Sequence, residues 1–109
     1  MTDAFESENV AQRFSLVFPA SLEATVHASL QGFEPPLPDY TLIEGEGHGE
    51  VFAGASLREQ VRGRVVRRLL VMVLPAARVP ALLDALGKRI KDPRVQWWTE
   101  AIVASGALG

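Results

Sequence analysis

The chain has no cysteine in its 109 residues. That absence excludes a disulfide framework, a cysteine nucleophile and a thiolate metal site, and it fits a reducing compartment. Histidine is scarce as well. His27 and His48 are the only two, and no H-x-x-x-H or carboxylate–histidine spacing surrounds either. The serines at 7, 15, 21, 29, 56 and 105 sit in no nucleophile elbow. No catalytic residue is therefore assigned, the protein is expected not to be an enzyme, and the residues name no cofactor. Long hydrophobic runs are missing too. The longest, residues 69–74, falls far short of the roughly 20 residues that span a bilayer. The first residues, Met1-Thr2-Asp3-Ala4-Phe5-Glu6, are acidic where a signal peptide is basic. A cytoplasmic protein that is not membrane-embedded is expected.

What is present is an apolar content of 48%, enough for one core at this length but not for two. Residues 1–11 are expected to form a flexible acidic arm and residues 12–109 a single domain. Charge is unevenly placed. Residues 1–50 hold nine acidic side chains and one basic, and residues 51–109 hold four acidic and ten basic. Such a basic half signals either nucleic acid or internal pairing between the halves.

Phe14, Leu16 and Phe18 alternate with Arg13, Ser15 and Val17, the pattern of a strand that Pro19 stops. Ser21 is placed to N-cap a helix running to about Gln31 and ending at Gly32, with Leu22, Val26, Leu30 and Phe33 as its buried stripe. The Pro-rich residues 34–38 form a stiff connector. A second strand over 40–44 runs into the glycine-rich Gly45-Glu46-Gly47-His48-Gly49. Ser56-Leu57-Arg58-Glu59 is a capping box, predicting a short helix over 57–62 that stops at Gly63. The third strand spans 64–74 and ends at Pro75. Pro80 stands in the first turn of a helix whose apolar face is Val79, Leu82, Leu83, Leu86 and Ile90. A last strand over 95–103 contains Trp97 and Trp98.

The order β-α-β-β-α-β predicts an α+β, ferredoxin-like fold: a four-stranded antiparallel sheet with two helices on one face. Right-handed crossovers put the first and third strands at its centre. The third strand is apolar on both sides, Leu69, Val71 and Val73 against Leu70, Met72 and Leu74. Two helices on one face cover only one of those rows, so a monomer exposes an apolar patch. Self-association through the sheet answers this, unless residues 104–109 fold over the patch.

Two readings divide the arginines at 58, 62, 64, 67 and 68. One is an anion site of guanidinium forks formed by Arg58, Arg62 and Arg64, helped by the backbone of Gly45, Gly47 and Gly49. The other, preferred for the cluster as a whole, is cross-strand pairing in which Glu44, Glu46 and Glu50 fall opposite residues 62–67. Pairing leaves no free basic surface with interleaved aromatics, so a nucleic-acid partner is not expected. His48 is the one candidate metal ligand, with more force if a symmetry axis gathers several copies.

The succession of strand, helix, strand, glycine-rich loop, basic strand, helix and strand resembles the PII-like signalling superfamily. Within it, Gly47-His48-Gly49 and Ser56-Leu57-Arg58-Glu59-Gln60-Val61-Arg62-Gly63-Arg64 are similar to an uncharacterised branch with a short T-loop. The divalent-cation-tolerance family shares the architecture. The resemblance covers about residues 12–104. It implies a homotrimer with sheets facing a threefold axis, and a β2–β3 loop, about residues 45–63, that contacts a target such as a transporter or an enzyme. In nucleotide-binding relatives a glycine-rich turn before the last strand completes the ligand cleft. Here that connection reads Gly87-Lys88-Arg89-Ile90-Lys91-Asp92-Pro93-Arg94. It lacks the Thr-Gly…Gly-Asp-Gly-Lys stretch, leaving Lys88, Arg89 and Arg94 to meet phosphates. The expectation is a trimeric regulatory protein whose loop takes a small anionic effector or a protein partner. The alternative is a metal-responsive or metal-binding trimer related to divalent-cation tolerance or heavy-metal efflux.

Overall fold

The computed structural model describes residues 10–48 and 65–109. The elements are β1 (Ala11–Pro19), α1 (Glu23–Ser29), β2 (Tyr40–Gly47), β3 (Val65–Pro75), α2 (Val79–Gly87) and β4 (Gln96–Ala101). They form one four-stranded sheet in the order β2-β3-β1-β4. The pairs β1/β3, β1/β4 and β2/β3 are all antiparallel. This is the expected α+β ferredoxin-like arrangement, with β1 and β3 at the centre.

Both helices start by the same device. Pro19 (φ −61°, ψ 142°) and Pro75 (φ −61°, ψ 138°) hold the strand end extended, and a three-residue 3₁₀ turn follows each: Ala20–Leu22 and Ala76–Arg78. Ser21 thus lies inside a turn, and neither that turn nor α1 has a side-chain cap. This corrects the expected N-cap. Proline's fixed φ sets the start, so no hydroxyl is needed there. Pro80 does occupy the first turn of α2. Gly32, at φ +81°, ends the first helical segment as expected. Helix α2 closes at Gly87, before the expected Ile90. The Ile90 amide still donates to the Leu86 carbonyl at 3.0 Å, which keeps Ile90 packed on the core.

The core is built from alternate strand residues. Phe14, Leu16 and Phe18 of β1 and Leu70, Met72 and Leu74 of β3 meet Val26 and Leu30 of the first helical segment and Val79, Leu82 and Leu86 of α2. Burial of each such side chain contributes about 1.5–3 kcal/mol.

The connector between α1 and β2 is braced from α2's side. Arg78 donates from Nη2 to the Pro35 carbonyl at 2.5 Å and from Nη1 to the Pro36 carbonyl at 3.2 Å. Its guanidinium carbon also stands 6.0 Å from the Phe33 ring centroid. Arg78→Ala should lower unfolding free energy by about 1 kcal/mol, since the bonds are exposed, as read from urea denaturation.

Candidate functional site

Two surfaces stand apart from the core. The first is the sheet face away from the helices. The register places Ile43 opposite Leu69, Val17 opposite Leu69 on its other side, and Ser15 between Val71 and Trp98. Ile43 is 49% exposed and Trp98 43%, and Val73 is exposed beside them. Residues 103–109 are all exposed as well, so this segment does not cover the face. Polar groups share it: Ser15, Thr41 and Arg67 fall on this side of the register, and so does an ion pair. Arg13 and Glu100, cross-strand partners, form an ion pair at 2.6 Å, and Trp98 Nε1 donates to Glu100 at 3.3 Å. The Arg13 hydrogen bond holds the Glu100 carboxyl below its ordinary range.

The second surface lies where α1 crosses β2 and β3, below the β2–β3 loop. Even-numbered residues of β2 face the helices, so Tyr40 and Glu44 share a side with Arg68, the partner of Glu44 in the ladder. Arg68 donates from Nε to Glu23 at 2.9 Å, and its Nη1 stands 3.7 Å from Glu44. That Nη1 is buried and makes no hydrogen bond among the described residues. His27 Nδ1 and the Tyr40 hydroxyl hydrogen-bond to each other, tying α1 to the edge strand. No spacing in the sequence shows that Tyr40, thirteen residues on, closes over His27.

Burial pushes the Tyr40 hydroxyl above its ordinary value, and the Glu23 carboxylate adds to that. A raised folded-state pKa favours the neutral phenol, so this contribution is intact below about pH 10 and lost as pH rises beyond it. Stability measured by denaturant between pH 9 and 11 should fall, and Tyr40→Phe should flatten the fall. An unchanged slope in that variant would contradict the assignment.

The predicted site residues separate. Gly45 and Gly47 are not loop residues. Strand β2 continues through both, opposite Arg67 and Val65. The pull of pairing with the Val/Leu-rich β3 outweighs glycine's poor strand propensity. A nest needs successive amides in turn or αR–αL conformation, and the extended backbone of β2 at these two glycines is neither. His48 follows directly and lies 3.6 Å from Glu46. Gly49, Arg58, Arg62 and Arg64, with the predicted capping-box helix, lie outside the described residues.

Glu44 does face an arginine, but it is Arg68, one residue beyond the expected 62–67, and the register sets Glu46 opposite Val66; Glu50 lies outside the described residues. Strand alternation also sends Arg67 and Arg68 to opposite faces, so the arginine run does not act as one patch. Before β4, the Arg94 side chain and amide both hydrogen-bond Asp92, at 2.8 and 2.9 Å, and hold its carboxyl below the ordinary range. That pair occupies a guanidinium the sequence left open for phosphate.

Among the described residues no group of three or more His, Cys, Asp or Glu is placed to hold a metal ion, and no helix is long and apolar enough to cross a membrane. A concavity of about 610 Å³ follows the connector from Leu30 to Tyr40. Another, of about 210 Å³ and mostly apolar, lies between α2 and β4.

The fold and its open sheet face define a ferredoxin-like α+β protein. The chain belongs to the family described as "Protein of unknown function (DUF3240)", whose model matches residues 7–109. It is similar to a crystal structure of a DUF3240 family protein from Shewanella baltica OS155, with a TM-score of 0.72 at 21% identity. That match covers 92% of this chain and 98% of that one. At such identity the likeness shows the fold. No curated protein matches the chain.

Proposed function

We propose that the protein is a PII-like trimeric regulator whose β2–β3 connection, residues 48–64, binds a small anionic effector or a protein target. The observation that carries this reading is the open sheet face. Ile43, Leu69, Val71, Val73 and Trp98 form an apolar surface that neither helix nor residues 103–109 cover, and such a patch marks an interaction site. Opposed sheets around an axis would cover it. The loop rooted on β2 and β3 would then stand at one end of the assembly. Arg68 supports the effector half of the reading: beside its ion pairs with Glu23 and Glu44, its buried Nη1 makes no hydrogen bond among the described residues, and a guanidinium fork suits an anionic oxygen.

A ligand selective for the folded state raises stability in proportion to RT ln(1 + [L]/Kd). A melt with ATP, ADP, AMP and cyclic dinucleotides should therefore show at least one upward shift, by about 2.7 kcal/mol at a hundredfold excess over Kd. Arg58→Ala with Arg62→Ala should abolish it. No shift with any of them, together with unchanged partner binding in that double variant, overturns the effector reading.

The second reading, a metal-responsive trimer, rests on His48 standing beside Glu46. Two donors per chain make a site only when copies gather at an axis. Copper, zinc or nickel affinity that is unchanged in His48→Ala removes it.

A further inference from the structure

We infer that residues 102–109 form an arm whose apolar side chains dock in the groove between α2 and β4 of a second copy of the chain. The Ile102 amide still bonds the Ala11 carbonyl at 3.2 Å. Beyond it every residue is exposed. Val103 and Leu108 reach 103% and 108% of full exposure, so neither touches the body of its own chain. No charged side chain lies between 103 and 109. An uncharged segment with a fully bare valine and leucine leaves unrealised about 1.5–3 kcal/mol for each such side chain, which only an apolar surface can supply.

The chain also contains a surface of that kind. The groove of about 210 Å³ is lined mainly by Leu16, Leu83, Leu86, Ile90, Val95 and Trp97, with Asp92, held by Arg94, the one charged side chain in its lining, and is large enough for a leucine side chain. It sits at the Trp97 end of β4, whereas the arm leaves from the Ala101 end. Leu108 does not enter it. Extended, the seven residues 103–109 reach about 23 Å, the scale needed to cross to a neighbour. Every copy thus carries one apolar arm and one apolar acceptor at different places, and head-to-tail contacts of this sort close a ring when the rotation permits. The inference rests on the assembly proposed above and adds which segment joins its copies.

The absence of cysteine makes the test direct. Leu108→Cys and Leu83→Cys chains, each prepared separately, are mixed under mild oxidation, with Val95→Cys replacing Leu83→Cys in a parallel mixture. Disulfide-linked pairs containing one chain of each kind, resolved by mass spectrometry, are the expected product. Truncation after Ile102 should in addition lower the assembled fraction by tenfold or more in light scattering. Absence of mixed pairs in both mixtures, while the wild-type chain still scatters as an assembly, overturns the arm and leaves the assembly reading standing. A wild-type chain that scatters as a monomer at every concentration overturns both.

Discussion

A double variant, Ile43→Lys with Val71→Lys, is expected to scatter as a single chain while keeping its secondary structure. In the isolated chain both positions lie on the face away from the helices. A lysine there can lay its stem along the apolar surface and keep its ammonium in water. The fold therefore loses little. In an assembly of opposed sheets the same ammonium groups are buried without partners, at a cost of several kcal/mol each. The association constant should fall by about 10³-fold or more, since each 1.4 kcal/mol is a factor of ten. Two of the native charges on this face differ in one respect: Arg13 and Glu100 already neutralise each other at 2.6 Å, so they enter an interface as a pair. If the double variant keeps the wild-type mass, the sheet face is not the interface.

Phe14→Ala is expected to be the most damaging single truncation of the core. Phe14 is fully buried on a central strand and belongs to the cluster that joins the sheet to both helical segments. Its ring also stacks on Trp97 with centroids 6.4 Å apart and planes 19° apart. Removing a buried phenylalanine costs about 3–5 kcal/mol, roughly a fifth or more of the 5–15 kcal/mol of a typical domain. Urea denaturation of the purified variant should show that loss in its midpoint. Trp97→Leu, at a site half open to water, should cost far less. Equal losses would mean that the stack rather than core volume carries the effect.

Legibility followed periodicity. The alternation of Phe14, Leu16 and Phe18, the doubly apolar β3 and the 3.6-residue spacing of α2 each report a face, and a face is a local property of the chain. Helix starts were harder to read. Ser21 suggested a cap where Pro19 and a 3₁₀ turn do the work, because a capping residue is recognised by type whereas its hydrogen bond depends on the path of the backbone. The end of β2 was misplaced for a related reason. Glycine reads as loop in isolation, yet Gly45 and Gly47 are held extended by a partner strand.

The candidate site was the least legible part. The Tyr40–His27 and Arg68–Glu23 contacts join residues thirteen and forty-five positions apart, and no spacing rule connects them. The same holds for Asp92 and Arg94 in the opposite sense. They are near neighbours, yet their hydrogen bonds became evident only with the turn that brings both groups to the carboxylate.

The sequence by itself determined the element order, the central position of β1 and β3 and the excess of apolar surface on the second sheet face, all of which rest on local pattern and chain connectivity. Tertiary structure alone decided the pairing register that sets Glu44 against Arg68 and the bare course of residues 103–109. Those depend on which atoms meet across the fold. A chain's pattern specifies which faces seek burial, but their partners are chosen only when helices, strands and loops compete for the same space.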